Sequence, residues 1–235
     1  NIVIENFSKE GVDALQGIYS HEPNYVSVAT QFYQSYLSYY VWSKNKIHAS
    51  TLVTGCFSIK KEIFNKMEGF DTNIQKASCE DEKFGYSLIK RGYKILIVRN
   101  LQVIHRVNYG IIKFIKRRFN QDLDRIKFYL REKTYINKIN QTNYLNVIIG
   151  IPVVSLILLN IIILLFSGSS LVWFIFIFLN LLYIFLHIGF LRFVAKTKGF
   201  KKALGSLIMF YIDTCLMLFA MLYGFAIFFL FKKKY

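Results

Sequence analysis

Residues 76–95, KASCEDEKFGYSLIKRGYKI, combine a run of three acids with the pattern of a helix followed by a strand. The acids occupy positions 80–82, and apolar residues recur after them at helical spacing until Gly92. The run YKILIVRN, residues 93–100, is typical of a buried strand. The stretch therefore predicts a helix-strand unit with negative charge at the beginning of its helix.

Further helices and strands alternate on either side of this stretch. The pattern predicts helices over residues 2–10, 26–46 and 60–69, and strands over 12–20, over Thr51–Thr54 and shortly after Gly55. Short strands that alternate with helices indicate an α/β fold with a mostly parallel or mixed sheet. We expect this domain to occupy residues 1–108.

The apolar residues are concentrated in the last part of the chain. The protein has 235 residues, of which 54% are hydrophobic, and a formal charge of +16. Three long apolar segments lie at about 145–166, 171–191 and 203–231, and Asp213 is the one charged residue within them. Since a helix needs about 20 mainly apolar residues to cross a bilayer, residues 141–235 are predicted to form a transmembrane region of about three helices. Gly205 and Gly224 could let the third helix bend or pack closely.

Residues 109–140 read as basic and amphipathic. From Arg106 to Lys138 the sequence contains ten Lys and Arg residues but only three Asp and Glu residues. Their apolar stripe suits either a position in the membrane interface or packing against the soluble domain, and the sequence leaves both open. Attraction to anionic membrane lipids explains this excess of basic residues. We expect no nucleic acid partner, because no zinc-finger, RNP-like or helix-turn-helix pattern is present.

Basic loops predict the orientation of an integral membrane protein. The loop 192–202 carries five Lys and Arg residues, which places it and the soluble part on the cytoplasmic side. If the third apolar segment crosses fully, Lys232–Lys234 would lie outside. Either that local bias is overridden, or the third segment is re-entrant or interfacial.

Three motifs in order resemble the second half of a family 2 glycosyltransferase with the GT-A fold. They are TGCFSIKKEIFNKMEGFD (residues 54–71), EDEKFGYSLIKRGYKI (80–95) and RRF (117–119). The resemblance covers roughly residues 12–120. It implies a partial GT-A-type mixed sheet and an enzyme that transfers a sugar, with inversion, from a nucleotide-diphosphate donor to an acceptor hydroxyl.

The family resemblance makes Asp81 the catalytic base, with Glu80 supporting it or contacting the acceptor. A carboxylate can take the proton of the attacking hydroxyl, and neighbouring carboxylates raise one another's pKa toward neutrality. The family gives Glu82 no role. Spacing alone favours a position of all three acids at the positive end of a helix dipole, whereas the flanking motifs favour the catalytic role.

The resemblance also implies substrate-binding residues. Thr54 and Gly55 would lie where the backbone approaches the donor or acceptor, although Gly55 also suits an ordinary turn at a strand end. Arg117 and Arg118 would lie near the diphosphate, where an arginine fork donates two parallel hydrogen bonds. The same pair would suit a helix that grips lipid phosphates.

Metal binding is implied only in part. The family uses Mg²⁺ or Mn²⁺, and His105 at a strand end could serve as a ligand or simply as a polar cap. The Asp-x-Asp ligand element of the family does not occur before Val12. We therefore expect that the donor-binding half of the enzyme is missing from this chain.

The sequence thus leaves two functions open. The first is a membrane-anchored glycosyltransferase whose acceptor is a lipid, a polyprenyl phosphate or a saccharide. The second is a non-catalytic membrane protein, either an assembly subunit or a pseudo-enzyme.

Overall fold

A computed structural model describes residues 2–9, 11–22, 24–42, 48–49, 52–72, 80–131 and 145–230. Its described residues form two compact units. The first unit comprises those within 2–22 and 33–108, and the second comprises those within 24–32, 109–131 and 145–230. The predicted boundaries at 108/109 and 140/141 stay predictions.

The first unit contains a three-stranded mixed sheet. Its strands are β1 (Ala14–Tyr19), β2 (Phe57–Ile59) and β3 (Ile95–Val103), in the order β2-β1-β3. Strand β1 is antiparallel to β2, with Ala14 opposite Ile59, and parallel to β3, with Ala14 opposite Ile95. The predicted mixed sheet with flanking helices is confirmed.

Helices cover both faces of this sheet. Because successive residues of a strand point to opposite faces, Ala14 packs with α3 (Lys61–Lys66) and α4 (Glu80–Lys90), whereas Leu15 packs with α1 (Ile2–Phe7). The predicted end of α4 is also as expected: Gly92 has a φ of 88°, a left-handed conformation that favours glycine.

One predicted element is wrong. Residues 52 and 53 are not in a strand, and Thr54–Cys56 form a short 3-10 helix. The reason is that the N–H of Val53 donates to the buried side chain of Gln16, at 3.0 Å, instead of to a neighbouring strand. Thr51 lies outside the described residues. The aromatic-rich segment forms α2 (Val28–Trp42), and the predicted extension to residue 46 also lies outside them.

The second unit is helical. It contains α5 (Ile111–Arg131), α6 (Leu145–Leu164), α7 (Ser170–Lys198) and α8 (Phe200–Leu230). By length and composition, α7 and α8 could cross a membrane, while the apolar part of α6, Ile148–Leu164, is shorter. These helices indicate membrane association. Helix α8 is continuous through Gly205 and Gly224.

The apolar stripe of α5 packs on α8. Leu123 and Ile126 are buried against Ala220, and a Cβ atom on Gly224 would lie 3.0 Å from Ile126. Gly224 thus serves close packing, as its residue type suggested. The two positions that the sequence left open for this stripe, the lipid interface and the soluble domain, stay predictions.

Candidate active site

A close helix-loop contact in the first unit positions the beginning of α4. Gly85 lies against Leu52, which is fully buried; a Cβ atom on Gly85 would be 2.5 Å from Cβ of Leu52 and 2.7 Å from its backbone nitrogen. Only glycine permits this approach without displacement. It brings the first turn of α4, which carries Asp81, beside the backbone that follows Leu52.

Asp81 accepts two backbone hydrogen bonds at this contact. The N–H of Glu82 donates to its Oδ1 at 2.8 Å, and the N–H of Thr54 donates to the same carboxyl group. The structure therefore brings together Asp81 and Thr54, which are 27 positions apart in the sequence. Their neighbour Gly55 completes the turn.

Burial raises the pKa of Asp81 to about 6. Repulsion from Glu82 adds to this effect and repulsion from Glu80 adds a smaller part, while the two backbone hydrogen bonds oppose it. A carboxyl group with such a pKa is ionised at neutral pH yet is a stronger base than an ordinary aspartate. Glu82, which the family resemblance leaves without a role, thus affects Asp81 more than Glu80 does.

Contacts of Tyr19, His105 and Gln34 connect Gly55 to α2. The Tyr19 ring covers Gly55 so closely that a Cβ atom there would lie 1.8 Å from the tyrosine hydroxyl. Tyr19 stacks on His105, with ring centroids 4.6 Å apart, and Nδ1 of His105 is 3.0 Å from Nε2 of Gln34. Since β1 and β3 are parallel, Tyr19 and His105 lie at the same, carboxyl-terminal edge of the sheet.

The expected metal does not fit this arrangement. Nδ1 of His105 is engaged by the side-chain amide of Gln34, at 3.0 Å, and its ring stacks on Tyr19. Within the described parts of the chain, no group of three or more His, Cys, Asp or Glu side chains could hold an ion.

The two candidate arginines lie in the second unit. Arg118 is buried, and one edge of its guanidinium donates to Asp213: Nε to Oδ1 at 2.6 Å and Nη2 to Oδ2 at 2.9 Å. The structure thus corrects the expectation for Arg118, because its guanidinium is buried and already paired with a carboxylate. Arg117 is exposed at its side chain and donates to the hydroxyl of Tyr109 at 2.5 Å.

Four residues of the site were missed in the sequence: Gln16, Tyr19, Gln34 and Gly85. Tyr19 could have been found, because it ends a predicted strand and the carboxyl ends of parallel strands commonly carry functional side chains. Gln16 and Gly85 give no such signal. Their importance follows from long-range contacts with Val53 and Leu52.

The geometry defines a class of site: a half-buried carboxylate at a helix start, held by backbone N–H groups at one edge of a mixed sheet. Comparison with protein-family models, with curated proteins and with solved structures found no match to this chain.

Proposed function

We propose that this chain is the acceptor half of a membrane-anchored, inverting family 2 glycosyltransferase. The observation that carries the proposal is the carboxyl group of Asp81, whose pKa is raised to about 6 and which accepts the N–H of Thr54. The motifs around residues 54–71 and 80–95 support it by resemblance.

The proposed reaction needs one base. The acceptor hydroxyl attacks the anomeric carbon of the sugar, the bond from that carbon to the nucleoside diphosphate breaks, and Asp81 takes the hydroxyl proton. Glu80 and Glu82 keep Asp81 basic through repulsion. The acceptor is a lipid, a polyprenyl phosphate or a saccharide, because the apolar helices hold the protein at a membrane.

The test compares two carboxylate-to-amide variants in membranes that contain the full-length protein. Radiolabelled UDP-glucose, UDP-N-acetylglucosamine and GDP-mannose are supplied separately, and label in extracted lipid and in polysaccharide is counted. Asp81→Asn is expected to lower transfer by about 10²- to 10⁴-fold, the usual worth of a positioned base. The matched control Glu82→Gln should keep most of the activity. Undiminished transfer by Asp81→Asn would refute the assignment.

A second candidate function is a non-catalytic membrane subunit. It is favoured by the pairing of Arg118 with Asp213, since that pairing uses for structure a residue expected to contact the donor. Absence of transfer from all three donors, by wild-type protein that is correctly folded in the membrane, would favour this candidate.

A further inference from the structure

One face of α8 is apolar and exposed from its first turns to its last. Residues about 3.6 positions apart, or multiples of that spacing, form it: Leu204, Ile208, Phe219, Leu222 and Phe229. The opposite face is buried and includes Ser206, Met209, Asp213, Ala220 and Gly224. A helix that crosses a bilayer and one that lies on it can share this pattern. The chain segments that cover the buried face distinguish the two.

The first half of the buried face contacts an uncharged segment of mixed polar and apolar residues, 25–32. Lys202 donates to the backbone oxygen of Tyr25 and, at 3.1 Å, to the side chain of Gln31. A Cβ atom on Gly205 would lie 2.9 Å from Val28. The ring of Phe32 packs edge-on against Phe210.

The second half is covered by the charged helix α5. Its Arg118 pairs with Asp213, and its Ile126 packs on Gly224. Nine of the 21 residues of α5 are charged, and Lys113, Lys116 and Arg117 are exposed. Charged side chains at the bilayer centre are strongly disfavoured, so α5 cannot lie within the hydrocarbon core.

These contacts leave too little of α8 to cross a membrane. The stretch that α5 covers runs from Asp213 to Gly224, which is 12 of the 31 residues and leaves 13 before it and six after it. A bilayer core requires about 20 residues. The composition of α8 suits a crossing helix, but the charged helix α5 that packs along its second half is incompatible with that position.

We propose that α8 lies in the membrane interface, with its exposed apolar face against the acyl chains of an anionic lipid surface, and does not cross the bilayer. The exposed cations Lys116, Arg117 and Lys201 suit such a surface. Helices α6 and α7 then form the crossing hairpin. The 17 apolar residues of α6 meet the lower limit of about 17. The 29 residues of α7 are enough to extend beyond the core toward α8.

This arrangement removes the conflict over the basic residues. A hairpin of two crossings returns the chain to its original side, so Lys196–Lys202 and Lys232–Lys234 lie on the same side of the membrane, as the positive-inside rule requires. This membrane topology does not depend on sugar transfer.

Single-cysteine labelling tests the topology. In full-length protein with Cys56, Cys79 and Cys215 changed to serine, a membrane-impermeant maleimide is applied to intact and then to permeabilised cells. Ser169→Cys should label in intact cells, and Lys196→Cys and Lys233→Cys only after permeabilisation. Labelling of Lys233→Cys in intact cells would overturn the proposal. With native cysteines kept, fusions after Tyr235 provide a second measurement: green fluorescent protein should fluoresce and alkaline phosphatase should be inactive, and the reverse result would contradict the proposal.

Depth measurements test the orientation of α8 directly. Nitroxide labels are placed singly at Ile208 and Leu222, and their collisions with oxygen and with a water-soluble nickel complex are compared in vesicles of 30% anionic lipid. An interfacial helix puts both labels at nearly equal depth. A crossing helix would separate them by about 21 Å, because 14 residues rise by about 1.5 Å each, and that separation would refute the proposal.

Discussion

Two aspartates of this basic protein have opposite surroundings. Asp213, in the second unit, is bonded through both oxygens to the guanidinium of Arg118. Asp81, in the first unit, is perturbed by burial, by two other carboxylates and by two backbone N–H groups. No cation is among the groups that perturb the pKa of Asp81 in the described part of the chain.

The difference separates a structural acid from a candidate reactive one. A buried pair such as Asp213 and Arg118 holds two helices together, and each partner compensates the buried charge of the other. Asp81 lacks such compensation, so its ionised form costs free energy in the folded protein. The raised pKa that results is what a base near neutral pH requires. The two aspartates should therefore respond oppositely to the same substitution.

The largest expected effect follows from removing the charge of Asp213. Asp213→Asn removes the closer carboxylate from the buried guanidinium of Arg118 and leaves it with Asp122, at 3.7 Å. Breaking a buried pair typically costs about 3–5 kcal/mol of unfolding free energy, and we expect a loss near the lower end of that range. Chemical unfolding of the detergent-solubilised protein, followed by circular dichroism, measures it. Asp124→Asn is the control, because that acid is more exposed and its ion pair with Lys127 is longer, at 3.7 Å.

The pairing itself can be separated from the charge. The double variant Arg118→Met with Asp213→Leu removes both buried charges, and it should be less destabilised than Asp213→Asn. If Asp213→Asn lowers the unfolding free energy no more than Asp124→Asn does, Asp213 is not a structural acid and the contrast with Asp81 is wrong.

A smaller loss is expected when the support of Asp81 is disturbed. In Gly85→Ala the new methyl group would meet the backbone of Leu52 at 2.7 Å, and such overpacking costs about 1–3 kcal/mol. Alanine otherwise favours a helix interior, so a net loss of stability identifies the clash. Transfer activity should fall as well, because the N–H of Thr54 moves away from Asp81.

Gly110→Ala is the matched control, since a Cβ atom at Gly110 would meet no atom within 4 Å. Both variants are compared for unfolding free energy and for sugar transfer. If Gly85→Ala behaves like Gly110→Ala in both measurements, the close contact with Leu52 does not position Asp81.

The activity should depend on pH through Asp81. A base must be ionised, so kcat/KM should rise about tenfold per pH unit below about 6 and become constant above it. Glu82→Gln removes a repulsive charge and should move this midpoint to lower pH, whereas a midpoint that does not move would show that Glu82 does not tune the base. The pH profile of transfer measures both.

Local pattern was enough to predict the elements around Asp81. The spacing of Phe84, Leu88 and Ile89 defines α4, and the apolar run after Gly92 defines β3. Both patterns act within a few residues. The strand predicted at Leu52 and Val53 failed because a distant side chain, Gln16, binds the N–H of Val53.

Contacts between residues that are far apart in the chain could not be predicted from the sequence. Arg118 and Asp213 are 95 positions apart, and nothing near either residue specifies the other. The basic residues at 117 and 118 look alike in the sequence, but one is exposed and the other is buried in an ion pair. The apolar stripe of α5 likewise indicates that it packs, but not on which helix.

The smallest expected effect is on stability, and it is opposite in sign to that of Asp213→Asn. The pKa of Asp81 is about 6 in the folded protein and about 3.9 in an unfolded chain. Between these values the folded state binds more protons, so this group makes the protein less stable as the pH rises from about 4 to 6. Asp81→Asn removes the ionisation while an amide oxygen can still accept an N–H. After allowance for partial exposure, the variant should be more stable than wild type by about 1 kcal/mol at pH 7.5 and nearly equal to it at pH 4. Unfolding at the two pH values measures the difference, and a variant that is less stable at pH 7.5 would mean that Asp81 has a compensating partner and belongs with Asp213 among the structural acids.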